Sequence, residues 1–527
     1  MSYTTALVWS FGRSVVISAT AAVMARSVNC VVSDLRGVPR FVSWSLLVIP
    51  WMIPGLLLGY AWNGWVFALK AWSSHSGVPG LTRVLAWVGE HDSAANELVL
   101  CCLLFFRCLP WAVIMLRWGV RVDEAESSWF LRGLASDAAG KKRGSPVGRF
   151  RRGFRLLAPA MGLAFLTCFQ EFELVARLGR PSWTVWLIDA HATGVALAGL
   201  LSRAIIAAAL QTALVFRLLP VRRGFFSPPG SRPRDVSAGG GRRVFVLGLT
   251  LFGAIATVAV PFWSLRAGWI QGMSALVDRT PVLWRLVGEV SVGVAVAMIA
   301  AAAAIMLARL LEITPGAAGV PSANPSPDRS PGRGVPGSIL HWVHWGMFWL
   351  GAWGAVPLCL VALWGLAESG VSFLNQTVFP WCLVLSVWLF PRAVCLVSLI
   401  RAWRQPQSAH LGTLLAKAPD GARRGSAQQL WWRDNWRNPV MAGLFLAMTG
   451  YFDLPTGQIL APAGLVSAPV TLYTQMHYGR NSLLTAMTLL AVAIPWTLAI
   501  LALMVLPRLT IWRRGGSISL GGWIRSL

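Results

Sequence analysis

Apolar positions along this chain fall in long runs with few charges inside them, and most polar residues collect between the runs. Runs near 7–24, 44–60, 97–117, 156–176, 193–216, 244–264, 286–308, 341–365, 377–400, 439–456 and 483–507 are long enough for a hydrocarbon core of roughly 30 Å. They predict an all-α polytopic membrane protein with about eleven transmembrane helices. The tenth run is the shortest, because Asp453 and Pro455 interrupt it. Many of the 29 tryptophans stand at the ends of runs, among them Trp44, Trp51, Trp111, Trp342, Trp345 and Trp496, as an interfacial belt requires.

Composition agrees with that pattern: 56% of residues are hydrophobic, 13% are charged, and the mean hydropathy is +0.60. The net charge of +26 first suggests a nucleic-acid surface. Its distribution argues otherwise. With alternate loops taken as one side, 34 of the 46 basic residues lie in 25–43, 117–155, 217–243, 309–333, 401–437 and the 508–527 tail, and 8 lie on the other side. Such a bias orients the basic loops to the cytoplasm, with the N-terminus outside and the C-terminus inside, and no nucleic-acid partner is expected. Residues 1–12 carry no basic residue and no cleavable leader pattern, so the first span is expected to be retained. The eight cysteines lie almost all within spans, without metal-ligand spacing, and read as small apolar packing residues.

One polar stretch is written twice, about 280 residues apart, in two of the basic loops. The first copy reads Leu134-Ala135, Gly140, Lys142-Arg143-Gly144-Ser145, Pro159 and Phe172-Glu173-Leu174. The second reads Leu415-Ala416, Gly421, Arg423-Arg424-Gly425-Ser426, Pro439 and Phe452-Asp453-Leu454. A repeat in matching loops implies two homologous halves. The first half covers 1–224 with five spans, a flexible linker follows at 225–243, and the second half covers 244–527 with six spans. The extra span opens the second half. A Pro-rich stretch at 313–338 reads as a disordered cytoplasmic loop. The loops 122–155 and 401–438 are longer than a helix-to-helix turn needs, and Ala135, Ala138, Ala139, Gly140 and Gly144 suit a short helix, a turn and a second helix. A solvated basic loop alike by ancestry alone is the simpler alternative.

These residues resemble the membrane permeases of binding-protein-dependent ABC importers, whose signature in this same loop is E-A-A, three residues, G, nine residues, I-x-L-P. In the first half Asp137-Ala138-Ala139 stands for E-A-A, Gly144 arrives one residue late, and Phe154-Arg155-Leu156-Leu157 stands for the terminal element. In the second half Ala418-Pro419-Asp420, Gly425 and Pro439 occupy the matching places, without the acidic-Ala-Ala core. Phe172-Glu173-Leu174, Leu460-Ala461-Pro462-Ala463-Gly464 and Met476-His477-Tyr478-Gly479 resemble fused two-half permeases of the iron(III) type. The resemblance implies a bacterial inner-membrane transport subunit, not itself an enzyme, with the fold of that permease class. It implies ATPase-coupling loops carrying Asp137, Ala138, Ala139, Gly140, Arg143, Gly144 and Ser145 and, in the second copy, Gly421, Arg424, Gly425 and Ser426. Implied partners are two cytoplasmic ABC ATPase subunits and an extracytoplasmic solute-binding protein; no cofactor is expected on this chain, and ATP belongs to the partner. The chain has no G-x-x-x-x-G-K-[ST] phosphate loop, in keeping with that division of labour.

Glu171, Glu173 and Asp453 stand at the outer ends of the spans that follow the two loops, where a carboxylate in lipid is costly. They are candidates for a pathway or external gate, or for contact with the delivering protein, and equally for caps at span ends. Glu289, Arg203 and Arg392 are further charges at membrane level, for which buried structural pairing is the expectation. His477 and Tyr478 lack companion ligands, so no metal site is expected. Two other classes remain open: a secondary transporter driven by an ion gradient, and a degenerate membrane scaffold that does not transport.

Overall fold

A computed structural model of the chain describes residues 1–35, 37–76, 92–119, 146–218, 240–313, 339–403, 438–477 and 482–512. Every regular element among the described residues is helical. In chain order they are α1 (Tyr3–Asp34), α2 (Gly37–Met52), α3 (Gly55–Ser76), α4 (Asp92–Gly119), α5 (Pro146–Phe169), α6 (Glu173–Arg177), α7 (Trp183–Ala192), α8 (Leu197–Leu218) and α9 (Gly240–Asp278). Then come α10 (Thr280–Ile313), α11 (Ile339–Ala352), α12 (Ala355–Glu368), a 3-10 turn at Ser372–Gln376, α13 (Phe379–Trp403), α14 (Asn438–Tyr451), α15 (Leu454–Leu460), α16 (Ala468–His477) and α17 (Ser482–Trp512).

Among the described residues six helices are long and apolar enough to cross a membrane: Tyr3–Val32, Ser93–Leu116, Leu197–Leu218, Thr280–Leu310, Phe379–Val397 and Ser482–Ala502. Helices satisfy their own backbone groups, so such segments are stable in lipid. Three further pairs pass the same test only as bent units, which raises the number to as many as nine among the described residues. The chain is therefore an all-α, multi-pass membrane protein.

The bends correct three of the expected spans. Residues 44–60 are two helices meeting at 87°, and 341–365 are two helices meeting at 111°. Pro54 has no N–H for a continuing helix, and Gly354 takes φ +98, a left-handed region that favours glycine. The run at 244–264 lies in α9, which bends by 51° between Leu247–Trp263 and Gly268–Asp278, next to its internal Pro261. Two other runs are shorter than expected. Their apolar helices are Leu157–Phe169 and Pro439–Tyr451, and each is followed by a break and a short helix.

The order of elements recurs along the chain. A long helix (α1, α10), a sharply bent pair (α2–α3, α11–α12) and a helix with an internal proline (α4 with Pro110, α13 with Pro391) come first. After the loop that carries the duplicated motif, a helix with a short apolar stretch (Leu157–Phe169 of α5, Pro439–Tyr451 of α14), a break, a very short helix (α6, α15), a ten-residue helix (α7, α16) and a long helix (α8, α17) follow. Helix α9 is the additional element of the second series.

The chain forms two compact units. The first comprises Met1–Leu286, Trp353–Ser372 and Pro469–Leu489, so it takes in segments from both series. Its core packs α1, α4 and α5 on one another through Ile17, Ala21, Leu100, Leu104, Cys108 and Ala164. The small residues among them let the helix backbones approach closely, the usual device where lipid gives no hydrophobic drive. Helix α9 packs against α1, α2 and α3, and α12 against α8. The second unit comprises Val287–Ala352, Phe373–Ala468 and Leu490–Leu527, with α13 packed on α11, α14 and α15. Gly351 and Gly450 give the close approaches there, to Val387 and Pro391 and to Leu385 and Leu389 respectively.

Candidate functional site

Helix α5 stops at Phe169 in the middle of an apolar environment, so the carbonyls of its last turn need new donors. The buried Trp183 indole N–H donates to the Phe169 carbonyl at 2.8 Å, and its ring stacks on Phe169 with centroids 5.2 Å apart. The Thr184 hydroxyl donates to the Glu171 carbonyl at 3.2 Å. These bonds hold the segment 170–172 in a fixed non-helical turn and explain why the helix can break inside the fold.

Both candidate carboxylates of this segment face inward, where they are half-buried. Glu171 Oε2 accepts from Arg107 Nη1 at 3.0 Å, and Oε1 accepts from the Leu174 N–H at 3.2 Å, in the first turn of α6. Glu173 Oε2 accepts from the Leu56 N–H at 2.8 Å, in the first turn of α3 just past the Pro54 bend. The two acids therefore answer the orphan N–H groups of two interrupted helices, and each sits on the positive end of a helix dipole. Gly55 lies under the cluster: a Cβ there would come within 2.7 Å of Arg107 Nη1, 2.7 Å of Glu171 Oε1 and 2.9 Å of Glu173 Oε2. A third interruption reaches the same place, since the Gln170 side chain lies 3.1 Å from where a Cβ on Gly354 would stand, at the α11–α12 bend. Three broken helices thus converge on residues 170–173.

Arg107 is a charge in the middle of the apolar span Ser93–Leu116, and its side chain is 14% exposed against 10% for Glu171. A second ionic layer lies ten residues, about 15 Å, nearer the start of α4. There Glu97 accepts from Arg13 at 2.9 Å and from Arg180 at 2.8 Å, Arg13 Nη2 donates to the Pro181 carbonyl at 3.0 Å, and Arg180 Nη1 donates to Ser93 at 2.8 Å. Ionised groups at membrane depth are retained where they pair and face protein or a pathway, which marks this junction as the candidate site.

From the end of α6, Arg177 reaches α16. Its Nη1 donates to the Met476 carbonyl at 3.0 Å, and its guanidinium lies 5.6 Å from the centroid of the Tyr60 ring. Tyr60 shares a hydrogen bond of 3.1 Å with Thr485 of α17, and Phe172 lies against Tyr473 with centroids 5.8 Å apart. Burial pushes the Tyr473 phenol up to about 12, with Asp189 adding to the rise, Arg177 opposing it and Glu173 reinforcing it. Burial also lowers the Arg177 guanidinium from its ordinary value, and Tyr60 and Tyr473 partly offset that.

In the second unit the matching break is simpler. Asp453 is the N-cap of α15, where Oδ2 accepts from the Thr456 N–H at 3.1 Å. The buried Thr456 hydroxyl in turn accepts from the Trp381 indole N–H at 3.3 Å. Sequence alignment of the copies pairs Asp453 with Glu173, whereas in capping its own short helix Asp453 does the work of Glu171.

No protein-family model, curated protein or solved structure matches this chain.

Asp137, Ala138, Ala139, Gly140, Arg143, Gly144, Ser145, Gly421, Arg424, Gly425 and Ser426 lie outside the described residues, as do Tyr478, the Pro-rich loop up to residue 338 and most of the linker. The last ten residues assigned to the first coupling loop, 146–155, are the start of α5, and 240–243 of the linker are the start of α9. Arg203 lies over the Trp186 ring at 4.7 Å and Arg392 over the Trp388 ring at 4.0 Å, so both are held by aromatic faces. Glu289 is buried. Among the described residues no three His, Cys, Asp or Glu side chains converge as metal ligands. All eight cysteines are unbridged, and Cys108 and Cys168 meet with their sulfurs 3.1 Å apart. Sequence reasoning missed Arg107, Arg13, Glu97 and Gly55. Two signals were present: charges inside apolar runs, and the small-residue spacing Gly55-x-x-x-Gly59 beside a proline.

Proposed function

We propose that this chain is the membrane permease subunit of an ATP-driven ABC importer of the bacterial inner membrane, with both permease halves in one polypeptide. The observation that carries the reading is the recurrence of element order around the duplicated loop. In both series the motif lies between a proline-containing helix and a short apolar helix that breaks, at an acid-capped turn, into a very short one. A unit repeated with its loop supports two attachments to a pair of ATPase subunits on the cytoplasmic side.

Counting each bent pair once, and adding Leu157–Phe169 and Pro439–Tyr451 to the six straight helices, gives the eleven spans of a five-plus-six arrangement. The N-terminus is then outside and the C-terminus inside. The loops 122–155 and 401–438 would dock on the ATPase subunits, which bind and hydrolyse ATP, and this chain would supply the pathway. A solute-binding protein would deliver the substrate from outside, with iron(III) the leading class on the resemblance of the flanking motifs.

The junction at 170–173 fits a gate. Discontinuous helices occur at membrane depth where they line a pathway or are buried in protein, and transporters use them at their binding and gating regions. In the described state every acid of the junction is matched by a helix N-terminus or an arginine, which is the arrangement of a closed gate. Opening needs a second state with its own contacts, and ATP-driven movement of the two coupling loops would supply the bias between them.

The test is at the loops. Gly144→Pro and Gly425→Pro are each expected to leave membrane insertion intact and to reduce ATP-dependent uptake of the delivered solute in reconstituted vesicles. Unchanged uptake by both variants, with normal ATPase association, would overturn the assignment of the coupling loops.

A further inference from the structure

The second copy has no equivalent of Arg177: at the spacing that aligns Phe172 with Phe452, its place is taken by Gly457. We propose that Arg177 is a positioning residue that ties the outer segment of the first repeat to that of the second, so that α6 and α16 move as one body.

Two contacts hold the head of this side chain, and its surroundings reinforce them. The guanidinium donates to the Met476 carbonyl, in the last turn of α16, where carbonyls lack intrahelical partners and the helix dipole presents its negative end. The guanidinium carbon lies over the Tyr60 ring, 5.6 Å from the centroid, a cation–π contact that arginine makes more often than lysine. Gly59 gives it room: a Cβ at that position would stand 3.0 Å from Arg177 Cβ and 3.1 Å from Cγ. Tyr60 carries the link onward through Thr485 at the start of α17. The stem of Arg177 is thus fixed by α3 and its head by α16, while its backbone is the end of α6. A basic residue that served only the dipole of its own five-residue helix would need none of the contacts to α16 or α3.

The link is independent of what the protein carries. Its bearing on transport rests on the importer reading, in which the acid-capped junction at 170–173 would open only together with the outer segment of the second repeat.

Hydrogen–deuterium exchange on the full chain in lipid nanodiscs tests the link without any transport assay. Arg177→Met is expected to raise exchange about tenfold in peptides covering both 172–178 and 469–477, the scale of one lost hydrogen bond to a charged group. Peptides from α4 should stay protected. Arg177→Lys, which keeps a donor for the Met476 carbonyl, is expected to recover most of the protection in 469–477. Exchange that rises only in 172–178, or in neither segment, would overturn the proposal. If the methionine variant inserts poorly, Arg177→Gln gives the same comparison with a smaller change in polarity. Loss of uptake plays no part in this readout, so a failure of the importer reading and a failure of the strut are told apart.

Discussion

Gly55 carries no side chain because an arginine and two glutamates occupy the space that one would need. The obstructing atoms are the tips of side chains, yet they are fixed by an ion pair and by two helix N-termini, so they cannot yield independently. Gly55→Ala is expected to cost about 1–3 kcal/mol, the scale of overpacking a filled site. Gly351→Ala should cost more than Gly55→Ala, since it meets the Val387 backbone carbonyl and the Pro391 ring. Unfolding titrations in mixed micelles check both, and a Gly351 variant milder than the Gly55 variant would contradict this packing account. The ion pair itself gives a second residue-scale test. Removing one member of a largely buried pair strands the other, so Arg107→Met is expected to destabilise by about 3–5 kcal/mol. Adding Glu171→Gln, which keeps an acceptor for the Leu174 N–H, should recover much of that loss in the same titration, and additive losses would show that the two groups do not depend on each other.

At the scale of elements, the breaks decide the architecture. Carboxylates answer the first-turn N–H groups of the helices after three of them, Glu173 for α3, Glu171 for α6 and Asp453 for α15. Asp453→Ala is expected to cost about 1 kcal/mol and to raise amide exchange at Thr456 and its neighbours, while Asp453→Asn, itself a good cap, should be nearly silent. Equal effects of the two variants would point to charge rather than capping as the role of Asp453. The breaks were also the least legible part of the sequence. Hydropathy located helices at all eleven apolar runs, because the cost of burying backbone groups in lipid leaves few other structures for such segments. It could not see that 44–60 and 341–365 turn sharply, since averaged hydropathy is blind to φ and to a missing N–H; Pro54 and Gly354 were the only local signs. It placed Glu171 and Glu173 at a span end but did not find their partners. Arg107 and Leu56 lie 64 and 117 residues away from them, and such pairings are set by tertiary packing. The copies also differ in a way that alignment conceals. A capping acid two residues earlier in the first copy frees Glu173 to hold the N-terminus of α3.

At the scale of the molecule, one series of elements is used twice, with α9 added at the start of the second. The compact units do not coincide with the series, because α12 and the residues Pro469–Leu489 belong to the unit built mainly from the first. An exchange of this kind makes each repeat depend on the other for its packing, and Arg177 and Tyr60 are among the residues through which α6 and α3 contact segments of the later series. The loops that carry the duplicated motif differ in sequence, the first keeping Asp137-Ala138-Ala139 and the second Ala418-Pro419-Asp420. On the importer reading the two ATPase contacts are therefore unequal, and Gly144→Pro should reduce uptake more than Gly425→Pro. The central claim is that this chain works as the membrane partner of ATPase subunits. Affinity purification of the tagged chain from its native membrane, under conditions that keep a control importer whole, tests it most directly. Recovery of two ABC-type ATPase subunits per chain is expected; recovery of the intact chain with no ATPase subunit would contradict the importer reading and favour a carrier driven by an ion gradient.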